Sequence, residues 1–118
     1  MNANVSRLAQ LIAKEEGYGI PGAVPTRDNN PGDLRHSPNS SHEGEGQNDI
    51  GIIPTAAKGW IDLERQLQLY ADRGLTLQEA VYEFAPPNEN NTARYLSFIC
   101  QSLGVPPYTP MSDVLKIA

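Results

Sequence analysis

Apolar side chains recur every three or four residues in two long stretches of the chain, which is the spacing of an amphipathic helix. Near the start, this spacing predicts a first helix over about residues 4–16, with Asn4 as its N-cap. A second helix is predicted between Thr55 and Gly74. Thr55 is a candidate N-cap, and glycine is common directly after the end of a helix. The two apolar stripes consist of Val5, Leu8, Ala9, Leu11, Ile12, Trp60, Leu63, Leu67 and Tyr70.

Two short helices are predicted from their start signals. Thr76 and Glu79 have the spacing of a capping box, and the helix that they begin is expected to end before Pro86. A last helix is predicted over about 110–116, with Thr109 as its cap and a proline at its first position.

A further helix is expected to begin at Asn90 or Asn91 and to stop at Gly104, which precedes a Pro-Pro pair. Its stripe faces the core, and Cys100 lies beside that stripe, as suits a small buried side chain. The apolar positions of this stripe are Tyr95, Leu96, Ile99 and Leu103.

The segment between the first two helices, residues 17–55, holds seven of the ten glycines and five of the ten prolines. It is too long for an idle connector in a small domain, and long loops of this kind are usually functional. The whole pattern predicts a mainly α, single domain over residues 1–118, with about five helices, a long Gly/Pro-rich active-site loop segment and room for a short β-hairpin.

Composition narrows the function classes. Of the 118 residues 39% are hydrophobic and 19% charged, which is typical of a globular domain. The net charge of -5 opposes binding to nucleic acid and to anionic lipid. Met1–Gly17 lacks the features of a signal peptide and no apolar run has the length of a membrane span, so we expect synthesis in the cytoplasm and no membrane insertion.

Two adjacent carboxylates, Glu15 and Glu16, lie where the first helix meets the glycine-rich segment. The partial negative charge of a helix C-terminus disfavours an ionised carboxyl, so a raised pKa suited to a general acid is expected there. Periodicity does not choose between the two, but Gly17 leaves room for a ligand and favours Glu16. The alternative is a solvated helix end without function.

Short polar side chains cluster around a Pro-Gly turn in Thr26–Arg35. Asn29, Asn30 and Arg35 are candidates to bind a polyhydroxylated ligand. The competing interpretation is a turn whose side chains bond only to their own backbone.

A second polar cluster, Phe84–Thr92, runs into the next predicted helix. Tyr95, one turn inside that helix, points back toward its start, so its hydroxyl would reach a ligand above the asparagine-rich loop. A loop with an ordinary N-cap, and a Tyr95 that only packs in the core, is the alternative.

Other chemistries have little support in the sequence. Histidines and acids occur between His36 and Asp49, but without a metal-ligand spacing, so no metal site and no cofactor are predicted. This cluster consists of His36, His42, Glu43, Glu45 and Asp49. Cys100 has no neighbouring base that would make it a nucleophile, and no nucleotide-binding or serine-hydrolase motif occurs.

The order of these pieces, Glu16–Gly17, then 27–35, then 84–92 and Tyr95, resembles the phage lysozyme-like and lytic transglycosylase-like family over residues 8–110. The resemblance implies a lysozyme-like α+β domain that cleaves the β-1,4 bond between N-acetylmuramic acid and N-acetylglucosamine in peptidoglycan. It also implies catalytic roles for Glu16 and Tyr95. The substrate-binding residues predicted with it are Tyr18, Asn29, Asn30, Arg35, Glu89 and Asn90.

Two positions depart from the family pattern, Asp33 in place of asparagine and Phe84 in place of tyrosine. The sequence leaves two alternatives for the group that assists Glu16. A hydrolase needs a second carboxylate, whereas a transglycosylase uses the sugar's own hydroxyl, with Tyr95 and Asn90 as positioning groups. The candidate second carboxylates are Asp28, Asp33, Glu43 and Glu45.

The expected partner is bacterial peptidoglycan. Because cell walls are polyanionic and the chain is acidic, delivery within a phage virion or lysis assembly is expected to bring the two together. The alternative functions are a noncatalytic glycan-binding or virion structural module with the same fold, and a metal-dependent peptidase that uses the His36–Asp49 cluster.

Overall fold

The computed structural model describes residues 5–41 and 50–117, and that part of the chain is mainly helical. Its helices are α1 (Arg7–Glu16), α2 (Val24–Arg27), α3 (Ala56–Asp72), α4 (Leu77–Phe84), α5 (Thr92–Leu103) and α6 (Met111–Val114). The predicted mainly α class is confirmed. Within the described residues, β pairing outside the helices consists of two isolated antiparallel bridges, Ser41 with Ile52 and Thr76 with Pro110. None of the described helices combines the length and apolar character needed to cross a bilayer.

Local capping signals locate the starts of α3 and α4. The Thr55 hydroxyl accepts a hydrogen bond from the Lys58 backbone N–H at 3.2 Å, as an N-cap does. At α4 both bonds of the predicted capping box are present: Thr76 Oγ1 accepts from the Glu79 N–H, and Glu79 Oε1 accepts from the Thr76 N–H. Hydrogen bonding of the Glu79 carboxylate to Thr76, chiefly to its backbone N–H, lowers the pKa of the Glu79 carboxyl below its usual value.

At α5 the structure selects one of the two predicted caps. Asn91 is the N-cap, and its side chain accepts from the Arg94 N–H at 3.3 Å. The helix ends at Gly104, where φ is 69° and the Gly104 N–H donates to the Cys100 carbonyl. A left-handed residue at this position is the reason for a glycine there.

The ends of the chain and the glycine-rich segment depart from the predicted elements. Helix α1 begins at Arg7 rather than near residue 4, and the predicted cap Asn4 lies outside the described residues. Helix α6 is shorter than the predicted 110–116: the Thr109 hydroxyl donates to the Pro106 carbonyl instead of capping, and Pro110 is the N-cap residue. Helix α2, with Pro25 in its first turn, was not predicted.

The chain divides into two compact units. The first comprises residues 1–5 and 9–66, and the second comprises residues 6–8 and 67–118. In the second unit α4 packs against α5 and α6. The most deeply buried apolar side chains of the first unit include Ala9, Ile12, Ala13, Ile53 and Leu63, and those of the second include Leu8, Leu67, Leu77, Ile99, Met111 and Val114.

Candidate active site

A tight backbone turn closes the C-terminal end of α1. The Gly17 N–H donates to the Lys14 carbonyl at 3.2 Å, and the Tyr18 N–H donates to the Ala13 carbonyl at 2.9 Å. These are the two bonds of a Schellman motif, and Gly17 has the φ of 92° that the motif requires. Glu16 is therefore the last helical residue, and Tyr18 begins the next segment at a fixed place.

The two candidate acids share the last turn of α1, and both are half-buried. Burial therefore does not distinguish Glu15 from Glu16. What distinguishes them is the turn, because Glu16 directly precedes the left-handed Gly17 and lies two residues before Tyr18. Within the first unit, Glu16 is thus the carboxyl at the point where the chain leaves α1.

Tyr18 and Trp60 form an edge-to-face aromatic pair, with ring centroids 5.3 Å apart and an interplanar angle of 77°. Both side chains are half-buried. Periodicity placed Trp60 only in the core stripe of its helix and missed this contact. The available signal was its identity, because Trp60 is the single tryptophan of the chain and follows the polar loop segment.

The buried side chain of Asn30 stabilises the polar segment, residues 26–35. Its side chain is 0% exposed, and both amide hydrogens are used, one to the Leu34 carbonyl at 2.7 Å and one to the Gly51 carbonyl at 2.9 Å. Its Oδ1 accepts from the Leu34 N–H at 2.9 Å. Asn30 thus has a structural role in the first unit, and no amide hydrogen of it is left to donate to a ligand.

Asn29 ties the same segment to the chain before α3. Its Nδ2 donates to the Ile53 carbonyl at 3.0 Å and to the Pro54 carbonyl at 3.3 Å. Its backbone is left-handed, with φ at 54°, a conformation for which asparagine is one of the better non-glycine residues. Both asparagine side chains therefore stabilise backbone, but their partners include carbonyls 21 to 25 residues away and not only those of their own turn.

Helix α3 approaches this segment closely at Gly59. A Cβ atom at position 59 would lie 2.0 Å from the Asn29 carbonyl oxygen and 2.8 Å from Pro31 Cδ. Only a residue without a side chain allows this approach. Trp60 follows directly, so the contact between helix and loop determines where its ring lies.

Asp28 and Asp33 form the acidic part of the segment. Asp28 is 4% exposed; its Oδ1 accepts from Arg27 Nε at 3.1 Å, and its Oδ2 is buried without a hydrogen-bond partner. Asp33 is half-buried, and its Oδ1 also lacks a partner. Burial, and then the charge of Asp28, raise the pKa of the Asp33 carboxyl, while the charge of the exposed Arg35 opposes the rise.

Replacing Asp33 with asparagine is expected to stabilise the protein at pH 7 by up to about 1 kcal/mol, since solvent screens the half-exposed group. A raised pKa in the folded state means that the neutral carboxyl contributes stability below its usual pKa, and that this contribution is lost as pH rises through the folded pKa. Asparagine also tolerates the left-handed φ of 54°.

Urea denaturation of wild type and Asp33→Asn between pH 4 and pH 7 measures this effect. The stability difference is expected to shrink as pH falls, and Asp72→Asn, at an exposed position, should follow the wild-type profile. Parallel profiles for wild type and Asp33→Asn would show that Asp33 ionisation carries no folding cost.

The remaining predicted site residues lie in the second unit, around the start of α5. Tyr95 is 4% exposed, whereas Glu89 and Asn90 are exposed. Asn90 Nδ2 donates to the Pro86 carbonyl at 3.3 Å, and the Thr92 hydroxyl donates to the Ala85 carbonyl. The loop before α5 is therefore closed by its own hydrogen bonds, with the side chain of Glu89 on its surface.

The described residues include only some of the candidate metal ligands and second carboxylates. The candidates that lie outside them are His42, Glu43, Glu45 and Asp49. Across residues 5–41 and 50–117, no three histidine, cysteine or acidic side chains come together as a metal site would require. Burial raises the pKa of the half-buried Cys100 thiol, which favours the neutral form and suits a packing role.

The first unit therefore contains the carboxyl of Glu16, the aromatic pair and the polar segment, and the second contains Tyr95 with its loop. No protein-family model, curated protein or solved structure matches the chain. The function is consequently argued from the residues and their geometry.

Proposed function

We propose that the protein is a peptidoglycan-degrading glycosidase with a lysozyme-like α+β fold, which cleaves the β-1,4 bond between N-acetylmuramic acid and N-acetylglucosamine. The observation that carries the proposal is the position of Glu16. It is the half-buried last residue of α1, and the chain turns directly after it into Tyr18, whose ring meets Trp60. A proton donor beside aromatic surface is what cleavage of a sugar polymer needs.

Glu16 acts as the general acid. The negative end of the α1 dipole favours the uncharged carboxylic acid over the carboxylate. As the bond from the sugar carbon to the glycosidic oxygen breaks, the proton of Glu16 passes to that oxygen, and positive charge develops on the sugar ring that is left. The roles that the sequence resemblance implies for Tyr95, Glu89 and Asn90, which belong to the second unit, remain part of the proposal.

The described acids favour a route that needs one carboxyl rather than two. Asp28 is almost fully buried and bonded to Arg27, so it is poorly placed to attack a polysaccharide. Asp33 is half-buried, and burial, followed by the charge of Asp28, raises the pKa of its carboxyl, while Glu43 and Glu45 lie outside the described residues. We favour the transglycosylase route, in which the sugar's own hydroxyl attacks the ring carbon and returns its proton to Glu16.

The negative charge of the protein affects how it reaches peptidoglycan. A net charge of -5 opposes free diffusion to a polyanionic wall. We propose that the protein acts as part of a phage virion or lysis assembly, which carries it to the peptidoglycan.

Mass spectrometry of muropeptides released from purified sacculi tests the proposal, with chelator present to suppress metal-dependent peptidases. The expected products are lighter by one water than hydrolysis products, since an anhydro sugar end forms, and Glu16→Gln should release them about 10²–10⁴-fold more slowly. Products with reducing ends would favour a lysozyme with a second carboxylate instead.

Two other outcomes would contradict the proposal. Tight binding to sacculi without release, unchanged in Glu16→Gln, would make the protein a noncatalytic glycan-binding or virion structural module. Products with new amino termini that form in a parallel reaction without chelator, and disappear when chelator is present, would make it a metal-dependent peptidase.

A further inference from the structure

The contact between Tyr18 and Trp60 leaves ring faces that the two residues do not cover for one another. In an edge-to-face pair, the ring that supplies its edge has neither of its faces covered by the other ring. With an interplanar angle of 77°, the two rings form the walls of an apolar corner. Both side chains are half-buried, unlike Leu63 and Leu67 on the same helix, which are 0% and 1% exposed. The corner is therefore not part of the core.

The backbone on both sides of the corner is held in place. The Tyr18 N–H donates to the Ala13 carbonyl. Trp60 follows the start of α3, where Thr55 caps the helix and Gly59 abuts the Asn29 carbonyl. A site whose backbone is ordered before binding loses less conformational entropy when a ligand arrives.

The chemistry of the corner fits a pyranose ring. Such a ring has a face of C–H groups, which packs on an aromatic face, and a rim of polar groups, which can stay in water. A nucleobase is a poorer candidate, because the net charge of -5 repels the phosphates attached to it. Glu16 lies two residues before Tyr18 in the chain, on the other side of the Gly17 turn, so the corner and the proposed acid belong to the same part of the first unit.

We infer that Trp60 and Tyr18 form a sugar-stacking site, the aromatic corner, which takes one N-acetylhexosamine ring of the glycan strand and sets the scissile bond against Glu16. This inference rests on the proposed function and assigns Trp60 a binding role that sequence periodicity does not indicate. The aromatic corner contributes mainly to substrate binding, so loss of the Trp60 ring is expected to raise KM more than it lowers kcat.

Tryptophan fluorescence tests the inference directly, because Trp60 is the only tryptophan in the chain. Titration of Glu16→Gln, which does not turn over, with oligomers of N-acetylglucosamine is expected to give a saturable blue shift and weaker acrylamide quenching. Because Trp60 is already half-buried, a ligand covers only part of its surface, and Trp60→Ala should weaken binding in calorimetry by about 10-fold.

The matched control is Ile61→Ala, which removes the neighbouring apolar side chain, 53% exposed, and should leave binding unchanged. Trp60→Phe should recover part of the affinity, because it restores an aromatic face. Circular dichroism must show that each variant is folded.

The test separates this inference from the proposed function. Glu16-dependent release from sacculi, together with no fluorescence change and a wild-type KM in Trp60→Ala, would overturn the aromatic corner and leave the enzyme. A saturable shift without any release would support the corner and overturn the proposed cleavage.

Discussion

Replacing Asn30 with alanine is expected to lower the free energy of unfolding by about 3–5 kcal/mol, the largest stability change that we predict. The substitution leaves the Gly51 carbonyl and the Leu34 N–H without the side chain that satisfies them, whereas the Leu34 carbonyl still accepts from the Gly51 N–H. At a position that is 0% exposed, each lost partner costs about 1–3 kcal/mol, and water that enters the gap recovers part of the sum.

Urea denaturation followed by circular dichroism measures this loss. Asn90→Ala is the matched control, because that asparagine is exposed and its side chain donates one hydrogen bond of 3.3 Å, to the Pro86 carbonyl. Its effect should stay within about 0.5 kcal/mol of wild type. Equal denaturation midpoints for the two variants would show that Asn30 does not hold the segment together.

Glu16→Gln is expected to reduce the rate of muropeptide release by about 10²–10⁴-fold, the usual contribution of a general acid. The amide has nearly the shape of the acid but carries no transferable proton, so folding and binding to sacculi should be retained. Initial rates at saturating sacculi, with binding measured by co-sedimentation, separate the chemical step from affinity.

The adjacent carboxylate provides the control. Glu15→Gln changes the same charge in the same half-buried turn of α1, but one residue further from the Gly17 turn, and should leave the rate within a few-fold of wild type. Loss of activity in Glu15→Gln with activity retained in Glu16→Gln would transfer the acid role to Glu15.

The helices with capping signals were predictable because the bonds that define them are local. Thr76 and Glu79 satisfy each other's backbone within three residues, and Asn91 caps α5 across the same separation. Periodicity supplied the rest of these helices. Helix α6 was predicted too long because the Thr109 hydroxyl has a second local acceptor, the Pro106 carbonyl, and the pattern contains no information on which bond is made.

In the glycine-rich segment, residues 17–55, the important hydrogen bonds are not local. Its polar residues were recognised as a cluster, but whether they serve a ligand or the backbone depends on bonds between positions 21 to 25 residues apart, from Asn30 to Gly51 and from Asn29 to Ile53 and Pro54. No period or spacing in the sequence encodes those partners. Helix α2 was missed in the same segment, because frequent glycine and proline obscure a helix of one turn.

By itself the sequence determined the mainly helical class, the helix starts at Thr55, Thr76 and the Asn90–Asn91 pair, and a carboxyl pair at the end of α1, since each depends on neighbours within one turn. Only the tertiary structure decided that Asn30 is an internal support and that Trp60 meets Tyr18. The physical reason is that burial and ring contacts arise when distant segments pack, and local patterns carry no record of which segments meet.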